Sequence, residues 1–414
     1  MVRSLTDKRK SLLLFFLVFI SYALIYMTKN CYSAAMASLV NENIMTKSET
    51  GRITAMFYII YAPFQIVGGK AADRFSPSKL ILLGTLGAGI CNVLVYIFSG
   101  NYIAMIVIWS VNALVQFGIY PSIFKIIVTE LCDSHRTRAV FYIGFSVTTG
   151  LVCSYVTALF IKDWRNNFLL SAITLFVITV AFYFIYESLA RHMTVIGEEK
   201  RSVVSENEKE KTPFIIPFIT SGVPLLLFVC MVQGLLNLGL KSLVPVMLME
   251  SYEAVSPQLA NGLNIFLILA SPLGIILARS ALFKKISYPT TIAILMGVVV
   301  PMLVVMTFIG DIHIALIILA LAILAVAVSI MSIFFSCVSR SFENIGASGT
   351  LAGMFNCMVA LGIVLANYVF TLLAEKKGWE FTVYVWLALA ALSLVLSIIT
   401  VPLWKKFLNK NGKA

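Results

Sequence analysis

The stretch Arg191–Thr212, RHMTVIGEEKRSVVSENEKEKT, is the longest polar run in a chain otherwise built of apolar blocks. It reads as a solvated tether, because its charges of both signs sit close together and no hydrophobic period runs through it. Working outward, apolar runs fall near 166–189, 139–161, 102–130, 79–99, 49–71 and 11–40 on one side. On the other side they fall near 215–249, 257–282, 287–309, 313–338, 347–373 and 380–404. A transmembrane helix needs roughly 20 apolar residues. The tether therefore divides the chain into six expected spans on each side.

Composition supports this reading. The 414 residues are 60% hydrophobic and 12% charged, against about 45–50% and about 25% in an ordinary soluble domain. So little charge cannot cover a soluble particle of this size. A soluble enzyme, a disordered chain and a coiled coil are excluded. A membrane β-barrel is excluded too, since it needs short alternating strands rather than long apolar runs. The seven cysteines are scattered, with no CxxC or Cys/His spacing, so neither a disulfide framework nor a metal site is expected. The net charge of +12 fits loops facing an anionic inner leaflet rather than nucleic acid. Residues 1–10 are basic and precede the run Leu12–Met27. That run is long for a leader, so it is read as the first helix.

Orientation follows from the basic residues, which collect on the cytoplasmic side. Of 31 Lys and Arg, 23 fall on the side of the termini and the tether, and 6 fall on the other. Both termini and the tether are therefore expected in the cytoplasm of a cell-membrane protein. The two remaining basic residues, Lys29 and Lys241, lie inside spans. Asp163-Trp164-Arg165 before the sixth span parallels Gly378-Trp379-Glu380 before the twelfth, which suggests a duplication.

Between the second and third spans lies Gly69-Lys70-Ala71-Ala72-Asp73-Arg74, followed by Ser78-Lys79. Gly69 is expected to let helices approach closely, and Asp73 and Arg74 to form an ion-paired latch at a helix end. The spacing resembles the signature loop of the major facilitator superfamily, Gly-x-x-x-Asp-Arg-x-Gly-x-Arg/Lys-Arg/Lys, with Ser76 and Ser78 as departures. A closer resemblance is carried by Tyr26-Met27-Thr28-Lys29-Asn30, by Tyr61 through Arg74, by Gln116-Phe117-Gly118-Ile119-Tyr120-Pro121 and by Ala347 through Gly353. These patches look like the organophosphate:phosphate antiporters, the glycerol-phosphate and hexose-phosphate carriers. The resemblance implies a twelve-helix fold and an anionic substrate. The family's phosphate-gripping residues are replaced, with Thr28, Asn237, Gln65 and Thr149 standing where it has Arg, Arg, Lys and His. Thr and Asn cannot reproduce the bidentate fork of Arg.

A mid-membrane lysine costs roughly 2.5–3.5 kcal/mol on insertion scales. Lys29 and Lys241 are therefore read as substrate-facing cations, on similar faces of the paired first and seventh spans. No Asp, Glu or His sits mid-span, so an anionic ligand is expected to supply the missing charge. The alternative is a neutral amine bonded to a carbonyl. Asn30, Tyr26, Tyr32, Tyr61, Gln65 and Asn237 are expected to line the same cavity. Pro63, Pro121, Pro245, Pro272 and Pro301 are expected to kink their helices, and Gly349-x-x-x-Gly353 to permit close helix contact.

The sequence thus predicts an all-α polytopic membrane protein of twelve helices. Two pseudo-symmetric bundles, residues 1–190 and 213–414, are joined by a cytoplasmic linker, 191–212. The expected function is secondary transport of a small organic anion, with no cofactor, no nucleic-acid partner and a monomeric chain in the lipid bilayer. A neutral-solute or drug carrier and a transporter-like membrane sensor are the alternatives.

Overall fold

The computed structural model describes residues 2–190, 215–278, 280, 283, 286–342 and 348–410. These are helical almost throughout, with no strand among the described residues. The linker 191–212 lies outside them. Long apolar runs must satisfy their backbone internally in lipid, and a helix does so within one segment. Ten helices among the described residues are long and apolar enough to cross a membrane. The span expected at 49–71 is present as α2, Lys47–Arg74, but is not one of the ten. Those expected at 347–373 and 380–404 fall in one stretch, Thr350–Asn409. It is broken where Gly378 takes φ 85° and ψ 168°, a conformation that glycine alone adopts readily.

The described residues form two compact units. One holds residues 2–45 and 56–190, and the other 46–55 and 215–410. The first unit contains α1 (Val2–Asn41), most of α2, α3 (Pro77–Ile97), α4 (Tyr102–Val115), α5 (Ile119–Glu130), α6 (Asp133–Phe160) and α7 (Trp164–Ala190). In it α1 packs on α6 and α7, and α3 on α7. The second contains α8 (Ile215–Thr220), α9 (Val223–Gly234), α10 (Leu240–Ser251), α11 (Pro257–Leu277), α12 (Tyr288–Met306), α13 (Ile314–Arg340), α14 (Ser348–Val364) and α15 (Thr371–Lys410). There α9 packs on α14 and α15, and α12 on α15, which is the same scheme. One hydrogen bond recurs with it. The Trp164 indole donates to Glu42 at 3.1 Å in the first unit, and the Trp379 indole to Glu250 at 2.6 Å in the second. In the first unit the bond joins the residue after α1 to the start of α7, and in the second it joins the end of α10 to the residue after the Gly378 break in α15.

Two expected single helices are interrupted. The run 102–130 breaks between α4 and α5 at Gln116-Phe117-Gly118, just before Pro121. A proline cannot donate to the carbonyl four residues back, here that of Phe117. Gln65 Nε2 donates to that carbonyl from α2 at 3.4 Å. The run 215–249 breaks twice, at Gly222 with φ 77° and at a π-helical turn, Leu235–Gly239. A second π-helical turn, Leu365–Phe370, joins α14 to α15.

The glycines that bring helices together are not those the motifs suggested. A Cβ on Gly69 or Gly353 would meet nothing within 4 Å. Gly68 instead lies against the Phe117 carbonyl, and Gly150 of α6 against the backbone of Ala23 and Met27 in α1. In the second unit Gly362 packs on Met231 and Leu235, and Gly234 on Val359. The packing requirement falls on residues facing a neighbouring backbone, whatever motif they belong to.

Candidate functional site

Lys29 lies in the C-terminal half of α1 and is 9% exposed. Gly150 presses α6 onto the turn of α1 that carries Tyr26, and this holds the lysine inward. Its Nζ stands 3.5 Å from the Tyr61 ring centroid, 5.2 Å from Phe57, 5.4 Å from Tyr26 and 5.6 Å from Tyr58. All are within cation–π range of about 6 Å. Phe57 and Tyr61 stack at 5.5 Å, so α2 presents a rigid aromatic wall. Among the described residues the ammonium has no carboxylate or other hydrogen-bond acceptor. Ring faces attract a cation without neutralising it, so the position stays electropositive.

The other expected residues of this unit divide by role. Tyr26 belongs to the cage. Asn30 donates one amide hydrogen to the Tyr26 carbonyl at 2.8 Å, which ties its side chain to its own helix. Tyr32 is 1% exposed and packs on Trp109 and Phe168, in the aromatic layer behind the cage. Gln65 bonds the Phe117 carbonyl and remains half-buried.

Lys241 occupies the first turns of α10, 6% exposed. It donates to Asn237 Oδ1 at 2.7 Å and to Ser271 Oγ at 2.6 Å. Asn237 sits in the π-helical turn, a distortion that often marks functional sites. Asn264 of α11 takes the Lys241 carbonyl at 2.8 Å. This lysine is therefore held by neutral oxygens, whereas Lys29 is held by rings. At the α2 terminus, Arg74 is exposed and Lys125 of α5 donates to the Ala72 carbonyl. A cation at a helix C-terminus is favourable there. The Asp73 side chain lies outside the described residues.

Residues 18–360 match the family model of the Major Facilitator Superfamily. The chain belongs to that superfamily. It is a polytopic membrane protein of a transporter family, not an enzyme. "Membrane sensor protein UhpC" of Salmonella typhimurium is 30% identical over 99 residues, 24% of this chain and 22% of that protein. "Probable sulfoacetate transporter SauU" of Cupriavidus necator is 25% identical over 189 residues, 44% of this chain and 43% of that protein. "Probable hexose phosphate transport protein" of Chlamydia trachomatis is 24% identical over 123 residues, 30% of this chain and 27% of that protein. These matches span less than half the length of each relative. Among solved structures, the nucleoside transporter NupG aligns with TM-score 0.73 and 12% identity over 94% of this chain and 100% of that one. A D-xylose-proton symporter aligns with TM-score 0.71 and 13% identity over 94% and 96%. At such identity the likeness concerns the fold.

The superfamily fold accounts for the repeated packing scheme. Phe57, Ser271 and Gln233 were not singled out by sequence reading. Phe57 looks like any lipid-facing aromatic, and Ser271 like a helix hydroxyl satisfied by its own backbone. Gln233 had a visible signal, since Gln233, Asn237 and Lys241 recur every four residues along one apolar run.

Proposed function

We propose that this superfamily member moves a small organic anion across the cell membrane by alternating access. Lys29 and Lys241 bear the substrate's charge, with Tyr26, Tyr61, Asn237 and the polar groups beside them giving orientation. The observation that carries this reading is the caged Lys29 ammonium, buried with no anionic partner among the described residues. Burying such a cation is costly unless an anion accompanies it. Relatives whose names refer to sulfoacetate and hexose phosphate support an acidic substrate. The replaced arginines favour a weaker grip than phosphate-binding forks give. Twelve spans, with both termini and the linker in the cytoplasm and the chain monomeric, complete the proposal. The Gly69–Arg74 end of α2 serves as a gate latch. With no carboxylate mid-span, exchange or facilitated flux is favoured over proton symport.

A second reading, a transporter-like sensor, is favoured by the match to UhpC. Thermal shift on purified protein tests the first step common to both. A ligand that binds only the folded state raises its stability by mass action. Sulfoacetate, glucose 6-phosphate and inorganic phosphate should include at least one stabiliser, while glucose and a nucleoside should not stabilise. Stabilisation by the neutral compounds alone contradicts the anion reading.

A further inference from the structure

The second unit contains a cavity of about 530 Å³ between the Val223–Gly239 segment, α13 and α14. Its polar lining includes Gln233, Asn237, Ser332, Ser336, Arg340 and Asn356, with no Asp or Glu among the described residues. Two stripes supply most of these groups. Ser332, Ser336 and Arg340 recur every four residues on α13, and Gln233, Asn237 and Lys241 do so on the facing helix. Residues four apart lie one above another on a helix face. The stripes join where Gln233 Nε2 donates to Ser332 Oγ at 2.7 Å.

Several groups in this array remain unused. Gln233 is 1% exposed, and its Nε2 hydrogens go to the Val328 carbonyl and Ser332 Oγ. Its Oε1, an acceptor, has no partner among the described residues, so Gln233 braces the two stripes and offers an oxyanion no free donor. Lys241 occupies the oxygen of Asn237, so the Asn237 amide N–H2 is what that residue offers the cavity. Arg340 is exposed at the end of α13 and has no ion-pair partner among the described residues. Two crossings, α11 and α12, lie between the two helices, so they run in opposite directions. The stripes therefore diverge from their meeting point, one toward Lys241 and the other toward Arg340. Eight residues each way at about 1.5 Å per residue make a polar path of roughly 24 Å, most of a hydrocarbon core of about 30 Å. Both ends are cationic.

We propose that Arg340 forms an entry subsite for an oxyanion head group, a carboxylate, sulfonate or phosphate. From it the Ser336–Ser332 face leads past Gln233 to Asn237 and Lys241. This rests on the anion-transport reading and extends it to a residue outside the buried lysines. The Arg340 fork can bind two oxygens at once, and the Asn237 amide offers a further donor. The Ser332 and Ser336 hydroxyls donate to the Val328 and Ser332 carbonyls of their own helix and turn to a head group only by exchanging those bonds. A neutral sugar can accept hydrogen bonds from Arg340 but lacks the charge-assisted, two-oxygen pairing that an oxyanion makes.

The test reads the cavity's charge without a substrate. In a chain with its native cysteines replaced by alanine, Ser336→Cys is reacted with two methanethiosulfonates, one bearing a sulfonate and one a trimethylammonium. Arg340 lies one turn away, so Arg340→Gln should lower the anionic-to-cationic rate ratio by roughly three-fold or more. Arg340→Lys should retain the ratio, and Ser332→Cys should show the same trend more weakly. A ratio unchanged by Arg340→Gln, or a thiol at 336 that neither reagent reaches in folded protein, overturns the proposal. Uptake of sulfoacetate or glucose 6-phosphate into vesicles separates the two readings. A ratio that responds to Arg340 in a protein that transports no anion upholds the positive cavity and counts against the transport reading instead.

Discussion

Lys29 and Lys241 are both buried amines, yet their surroundings ask different things of them. Lys29 is bounded by four rings, whereas Lys241 already donates to Asn237 and Ser271. Lys29→Gln should preserve folding and weaken anion binding by about 1.5–3 kcal/mol, the worth of a hydrogen bond to a charged group. That is roughly 10- to 150-fold in affinity, read by titration against the melting temperature of the same variant. Lys29→Arg keeps the charge and should retain part of the affinity. Ser271→Ala behaves oppositely. It removes one oxygen from Lys241 and should lower stability by about 1–3 kcal/mol, the cost of a buried donor left short of a partner. Its effect on affinity should be smaller than that of Lys29→Gln. The two lysines were legible in the sequence because a charge in an apolar run is conspicuous. Phe57 and Ser271 were not, because a ring or hydroxyl in such a run is ordinary, and only packing gives it a neighbour.

Helices meet through a few glycines whose role depends on what faces them. Gly150 sits against α1 backbone beside Tyr26, so it sets the distance between α6 and the turn below Lys29. Gly150→Ala should force these helices apart and cost about 1–3 kcal/mol, as overpacking does. The melting temperature should fall, and anion affinity with it, because Tyr26 moves. Gly69→Ala, facing open space, should leave the melting temperature nearly unchanged. An equal loss at both positions would show that helix propensity rather than packing governs them. The apolar runs themselves were legible, since length and hydropathy suffice for a span. Interruptions were less so. Pro121 announced a disturbance, but Gln65, whose amide donates to the Phe117 carbonyl that the proline cannot serve, lies on another helix. The π-helical turn at Leu235–Gly239 contains no proline at all. It is stabilised by Gly234 and Gly239 lying against α14 and the turn that follows it, which is tertiary information.

For the whole molecule, the sequence carried the superfamily and the helical class through composition, the central linker and the Gly69–Arg74 spacing. The repeated scheme gives this a physical basis, since Trp164–Glu42 and Trp379–Glu250 are the same bond made twice. Topology is the first expectation at this scale. Single cysteines near Ser205 and Lys410 should resist a membrane-impermeant label in intact cells, while one near Lys47 should react. Labelling near Lys410 but not Ser205 would contradict an even number of spans in the second half.

The central claim is that an anion crosses the membrane on this chain with Lys29 bearing its charge. Purified protein in sealed vesicles, loaded with unlabelled sulfoacetate, glucose 6-phosphate or phosphate, should take up the same labelled compound from outside for at least one of the three. Uptake should need the internal anion, persist without a proton gradient and fall at least ten-fold in Lys29→Gln at subsaturating concentration. Neutral glucose and a nucleoside should not exchange. Exchange of the neutral compounds alone, or anion uptake indifferent to Lys29, would contradict the account.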